Sequence, residues 1–133
     1  MIDTKIIKIA SNTKNYGLIK KNTKIVSCKN KLCGDTIRLE IKKNKKKIIF
    51  IRYEMNACIF CQASASLLSQ SIVNLGIIKT KTDINKLLNL LNKKKDLLPT
   101  KFKKFKTFFN IKYINRYECV KLPIKAVLKA IAA

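Results

Sequence analysis

The spacing of apolar residues changes near the middle of the chain. Up to residue 53 they alternate or gather in short β-rich runs, and from residue 61 they recur at every third or fourth position. Ile25-Val26-Ser27-Cys28 is a short strand candidate. Thr36 to Ile41 alternates cleanly, with Ile37, Leu39 and Ile41 on one face and Thr36, Arg38 and Glu40 on the other. Lys43-Asn44-Lys45-Lys46-Lys47 makes a solvated turn before the β-rich run Ile48-Ile49-Phe50-Ile51-Arg52-Tyr53. Strand, short polar loop and strand predict an antiparallel hairpin.

In the second half, Ala65, Leu68, Ile72 and Leu75 share a helical face, with Gly76 as the expected C-terminal stop. A second helix is expected from Thr82 as N-cap, with Ile84, Leu87, Leu88 and Leu91 inward. Phe102, Phe105, Phe108 and Phe109, set among lysines, predict a short amphipathic helix whose rings join the core. The last helix is expected from Leu122-Pro123, with Ile124, Val127, Leu128 and Ile131 inward. Strands followed by helices predict an α+β fold: a small antiparallel sheet of about three strands in the N-terminal half, covered on one face by helices of the C-terminal half. No internal repeat or Pro/Gly-rich linker divides the chain, so residues 1–133 are expected to form a single domain.

Composition narrows the function. An apolar fraction of 47% excludes wholesale disorder, and no apolar run approaches the ~20 residues that cross a bilayer. Met1 to Gly17 carries lysines but no apolar core and no small-residue cleavage site, so a cytoplasmic protein without a membrane partner is expected. The net charge of +23 would attract nucleic acid. Yet only Arg38, Arg52 and Arg116 among the 30 basic residues are arginines, the residue that forks onto phosphate and guanine edges. Lys, Ile and Asn are enriched together, as an A/T-rich genome would enrich them. Nucleic acid is therefore not the expected partner. A basic RNA-binding module, with Lys101 to Phe109 as a stacking surface, is retained as a third reading.

The cysteines change the picture most. Five of them, Cys28, Cys33, Cys58, Cys61 and Cys119, make an odd number, which argues against a disulfide framework. There is no histidine, which removes imidazole metal ligands and triad-type nucleophiles. Any metal must then be held by thiolate and carboxylate. Cys33 lies in Leu32-Cys33-Gly34-Asp35, just before the alternating strand, where Gly34 lets the backbone turn so that Cys33 and Asp35 face one point. Cys58 lies between hairpin and helix, and Cys119 just before the last helix, where helix N-termini favour thiolate. Three cysteines at such junctions and one aspartate suit tetrahedral zinc or iron–sulfur chemistry. Cys58-x-x-Cys61 has the spacing of a redox or zinc-knuckle motif. With no second such pair, Cys61 is expected as a helix-start residue first and an extra ligand second. Cys28 is expected as a strand residue.

Three stretches carry a family resemblance. Asn30 to Leu39, around Cys33-Gly34-Asp35, resembles the first cysteine motif of the U-type iron–sulfur scaffold proteins (NifU N-terminal domain, IscU and SufU). Ala57 to Leu68, with Cys58 followed by Ala63-Ser64-Ala65-Ser66, is similar to their second, and Arg116 to Pro123, with Arg116 three residues before Cys119, to their third. Asn15-Tyr16-Gly17-Leu18 is similar to the family's N-terminal "N-x-G-x-L". The 61-residue step from Cys58 to Cys119 and the glutamate at 118, where IscU has histidine, resemble the SufU branch. The Leu-Pro-Pro-Val-Lys stretch that IscU offers an Hsp70 is missing, so no dedicated Hsp70 partner is expected. The resemblance implies Cys33, Asp35, Cys58 and Cys119 as ligands of a [2Fe–2S] cluster or Zn2+, with Arg116 as a supporting positive charge. It implies a PLP-dependent cysteine desulfurase, an iron donor and apo acceptor proteins as partners. Cys33 and Cys119 are the candidate sulfur acceptors. It implies a scaffold that assembles and passes on a cluster, or alternatively a zinc-dependent sulfurtransferase.

Overall fold

In the computed structural model, which describes residues 2–133, the alternating half of the chain supplies three strands of an antiparallel sheet of four, in the order β1-β2-β3-β4. β1 is Lys24–Lys29, β2 Thr36–Lys43, β3 Lys47–Asn56 and β4 only Leu75–Gly76. In the β2–β3 hairpin Leu39 stands opposite Tyr53 and Ile41 opposite Ile51, so their shared face is a continuous apolar strip. Four α-helices pack on this frame: α1 Thr4–Ala10, α2 Ile59–Ser71, α3 Ile77–Leu91 and α4 Tyr117–Ala132. Helix α4 lies across β1 and β2, α2 leans on β3, and α2 is held between α1 and α4. The α+β class is as expected, with one short strand more than the pattern predicted.

That extra strand corrects a boundary. Helix α2 ends at Ser71, and Asn74 takes a left-handed conformation (φ 60°). Leu75 and Gly76 then pair with Ile48 and Lys47 as β4. Ile72 and Leu75 kept a helical spacing because a turn and an edge strand point them at the same core. Gly76 therefore caps the start of α3 and does not stop α2, and Thr82 sits inside α3, its hydroxyl donating to the Ile78 carbonyl.

The last helix also begins earlier than expected, at Tyr117, and Pro123 lies within it. Proline has no N–H, so the helical bond that would reach the carbonyl of Cys119, four residues back, is missing. Helix α1 was not foreseen: Asp3 caps it by accepting from the Lys5 N–H, and Ile6 and Ala10 turn inward. Phe102, Phe105 and Phe108 are buried as expected, on a 3₁₀ segment (Thr100–Phe108) whose three-residue turn matches their spacing. A second 3₁₀ turn, Ile111–Arg116, leads into α4.

The outer face of the sheet is less polar in its surroundings than alternation implied. Glu40 is fully buried there. Residues 15–20 fold over it, with Gly17 at φ 103° donating its N–H to the Tyr53 carbonyl and Arg52 donating to the carbonyls of Gly17 and Tyr16. The Asn15-Tyr16-Gly17-Leu18 motif thus pins the N-terminal segment to β3. No helix among the described residues is long and apolar enough to cross a membrane.

Candidate metal centre

Cys33 and Asp35 sit on the turn between β1 and β2. The Gly34 N–H bonds the Asn30 carbonyl and the Asn30 N–H bonds the Asp35 carbonyl, closing a tight loop that needs a left-handed residue at its corner. Gly34 supplies it at φ 78°, with open space where a Cβ would be. Cys58 is the N-cap of α2, and its backbone N–H reaches an Asp35 carboxylate oxygen at 3.3 Å. Cys119 lies in the first turn of α4.

These elements bring distant residues together. The thiol sulfurs of Cys33 and Cys119 and a carboxylate oxygen of Asp35 all lie within 4.8 Å of one another. Cys58 stands outside that tight trio, with its thiol hydrogen-bonded to that of Cys119. The burial is graded: Cys33 is exposed, Asp35 and Cys58 are half-buried, and Cys119 is buried. Burial, the hydrogen bond with Cys58 and the charges of Cys58, Cys33 and Asp35 push the Cys119 thiol up to about 12. Three thiols and a carboxylate repel one another as anions, and a soft cation among them reverses that repulsion. The donor set therefore fits a zinc or iron ion of tetrahedral preference.

The placement of α4 relative to α2 rests on residues read from the sequence only as a helix start. Ala63 and Ala65 are buried, and their small size lets α2 approach its neighbours closely. The Ser64 hydroxyl donates to the Val120 carbonyl at 2.7 Å, and that of Ser66 to the Asn12 carbonyl at 2.9 Å. Ser64 thereby fixes the turn carrying Cys119 against the helix that begins at Cys58. A run of small residues, Ala63-Ser64-Ala65-Ser66, at the start of an apolar helical stretch was the available signal.

The other candidates fall around this centre. Arg116 is exposed, with its guanidinium over the Phe60 ring at 5.7 Å and no ion pair among the described residues. Glu118 turns away to Lys121 (2.6 Å) and Lys125 (4.0 Å). The hydrogen bond from Lys121 holds its carboxyl below the usual range. Cys61 is fully buried beneath the site, and burial, followed by the charges of Cys58, Asp35, Cys119 and Cys33, pushes its thiol up. Cys28 is on β1, opposite Ile37 and outside the cluster.

Residues 1–102 match the family model described as the NifU-like N-terminal domain. The chain belongs to this family. The matched span includes Cys33, Asp35 and Cys58, while Cys119 lies beyond it and joins them through the fold. The structure is similar to that of a nitrogen-fixing NifU-like protein (N-terminal) from Brucella abortus, with a TM-score of 0.87 at 21% identity, over 98% of this chain and 91% of that one. It is equally similar to a structure named as an iron–sulfur cluster assembly scaffold protein of the SUF system from thermophilic Fervidobacterium islandicum AW-1. There the TM-score is 0.87 at 22% identity, over 97% and 95% of the two chains. At such identities the likeness extends the shared fold through α4. No curated protein matches the sequence.

Proposed function

We propose that this NifU-like chain is a scaffold on which an iron–sulfur cluster is assembled and from which it is passed to acceptor proteins, with Cys33, Asp35, Cys58 and Cys119 as the ligands. The observation that carries this reading is the convergence of Cys33, Asp35 and Cys119 within 4.8 Å, with Cys58 against Cys119. These residues come from separate elements, as a site built for a purpose requires and an incidental core cysteine does not. The name of the Fervidobacterium structure supports the same role.

Under this reading a PLP-dependent cysteine desulfurase supplies sulfur and a separate donor supplies iron. The exposed Cys33 is the thiol that such a partner reaches first, whereas Cys119 is buried and holds its proton. Asp35, a hard oxygen ligand among soft sulfurs, binds soft metal less firmly and favours release of the cargo. Arg116 contributes positive charge on the flank formed by Phe60. Anaerobic reconstitution with iron, cysteine and a desulfurase tests the proposal. A visible charge-transfer spectrum of the [2Fe–2S] type is expected, lost in Cys33→Ala, Cys58→Ala and Cys119→Ala but kept in Cys28→Ala and Cys61→Ala.

A second reading is supported by the segment between Cys58 and Cys119. It contains all of α3 and both 3₁₀ turns, and such a long step is the feature by which the sequence resembles the SufU branch. In that reading zinc is resident on the same four residues and the chain is a sulfurtransferase partner of the desulfurase. One zinc per purified chain and no cluster chromophore after reconstitution would decide for it.

A further inference from the structure

Cys61 has no part in the ligand set just described, yet it lies directly beneath it. It occupies the third residue of α2, and Cys58 is the cap of the same helix. Residues three apart on a helical turn have their Cα atoms about 5 Å apart, within the Cα separation that a disulfide spans. Cys58 makes no side-chain cap bond to α2, and its thiol turns from its bond with Cys119 to reach Cys61. Cys58 is half-buried and reachable from solvent, whereas Cys61 is fully buried. All five cysteines are free thiols in the structure.

We propose that Cys58 and Cys61 form a redox-active dithiol, with Cys58 attacking a hydroperoxide and Cys61 resolving the product, so that oxidation of the metal-free site withdraws Cys58 from the ligand set. The inference rests on Cys58 being a ligand, as in the function proposed above. In the first step the Cys58 thiolate attacks one peroxide oxygen, the O–O bond breaks and hydroxide leaves, giving the sulfenic acid. In the second, the Cys61 sulfur attacks that of Cys58, the S–O bond breaks, and the oxygen leaves as water with the Cys61 proton. Two thiols are oxidised to one disulfide and one peroxide is reduced to two waters. A dithiol reductant reverses the change. The bridge closes only the first turn of α2, and a metal held by Cys58 blocks the first step.

The test uses the full chain, once stripped of metal and once loaded with zinc, treated with hydrogen peroxide and mapped by mass spectrometry. Trypsin leaves both cysteines in the fragment from Tyr53 to Lys79, which has no internal lysine or arginine. In the metal-free protein that fragment is expected to become lighter by two hydrogens, with zinc binding reduced at least about tenfold and restored by dithiothreitol. The zinc-loaded protein is expected to be spared. In Cys61→Ser, zinc binding is expected to persist and Cys58 to be trapped by dimedone as the sulfenic acid. A bridge from Cys58 to Cys119 or Cys33, or peroxide treatment that leaves the fragment's mass unchanged, overturns the proposal. Failure of the untreated protein to bind zinc or a cluster would instead overturn the ligand assignment, while the mapping still decides whether the pair forms.

Discussion

Two carboxylates five residues apart in sequence, Asp35 and Glu40, show how this molecule separates holding itself together from holding something else. Glu40 is fully buried and receives the Ile19 N–H at 2.8 Å, the Lys20 N–H at 2.7 Å and the Thr23 hydroxyl at 2.6 Å. Its lone pairs are committed to the loop that folds over β2. Asp35 is half-buried, and among the described residues its carboxylate accepts only the Cys58 N–H, at 3.3 Å. The rest of its oxygen valence faces the thiols of Cys33 and Cys119. A buried acid whose acceptors are filled is architecture, and one whose acceptors are aimed at thiols without bonding them is available for a cation.

The largest effect that would sharpen this contrast is expected from Glu40→Ala. It strips three donors of their acceptor, and about 3 kcal/mol or more of stability should be lost. The urea midpoint measures this, and the fraction that remains folded should still bind one metal. Asp35→Ala should behave oppositely, with an unfolding free energy from urea titration within about 1 kcal/mol of the wild type and metal affinity at least about tenfold weaker by competition with a chelator. If Asp35→Ala unfolds the protein while metal affinity survives, the contrast is wrong.

Acid should reveal the same division. Burial pushes the Glu40 carboxyl up, but the bonds from Ile19, Thr23 and Lys20 and the charge of Arg52 outweigh it and hold its pKa below the ordinary 4.5. Because the folded value lies below the unfolded one, its contribution to stability is complete above that value and drains away as pH falls through the lowered one. Far-UV circular dichroism should therefore show acid unfolding below about pH 4.5, and Glu40→Gln should flatten it. The smallest effect on metal binding is expected from Gly34→Ala. No neighbour obstructs a Cβ there, so the left-handed backbone alone should cost about 1–2 kcal/mol. Cys33 and Asp35 would keep their places and the metal stoichiometry would not change.

The alternation that placed Glu40 on the polar face of β2 was correct about direction and silent about cover. A period of two says which side a residue faces, and what lies over that side is decided by the loop from Asn15 to Lys20. The same limit explains Leu75 and Pro123. Apolar spacing identifies residues that reach one core, whether from a helix or an edge strand, and a proline allowed early in a helix fixes its start only loosely. Helix α1 was legible in principle, since Asp3 is a capping residue with Ile6 and Ala10 spaced as one buried stripe, but the lysines around it mask the pattern. The cysteines were far more legible than the elements that bear them. Thiols set beside an aspartate, in a chain with no histidine, restrict the chemistry before any geometry is known. What the pattern could not show was the trio itself, because the approach of Cys119 to Cys33 depends on how α4 crosses the sheet.

That crossing has a consequence in time. The two hairpin contacts of the sheet join residues close in sequence and form without waiting for the rest of the chain. Cys119 reaches Cys33 only after α4 has settled over β1 and β2, where Lys129 donates to the Ser27 carbonyl. A chain that has made its sheet but not docked its final helix presents an exposed thiol and a carboxylate with nothing to close the cage. Under the proposed role, tight metal capture would report on the completion of folding, and half-folded molecules would compete poorly with finished ones for scarce iron or zinc.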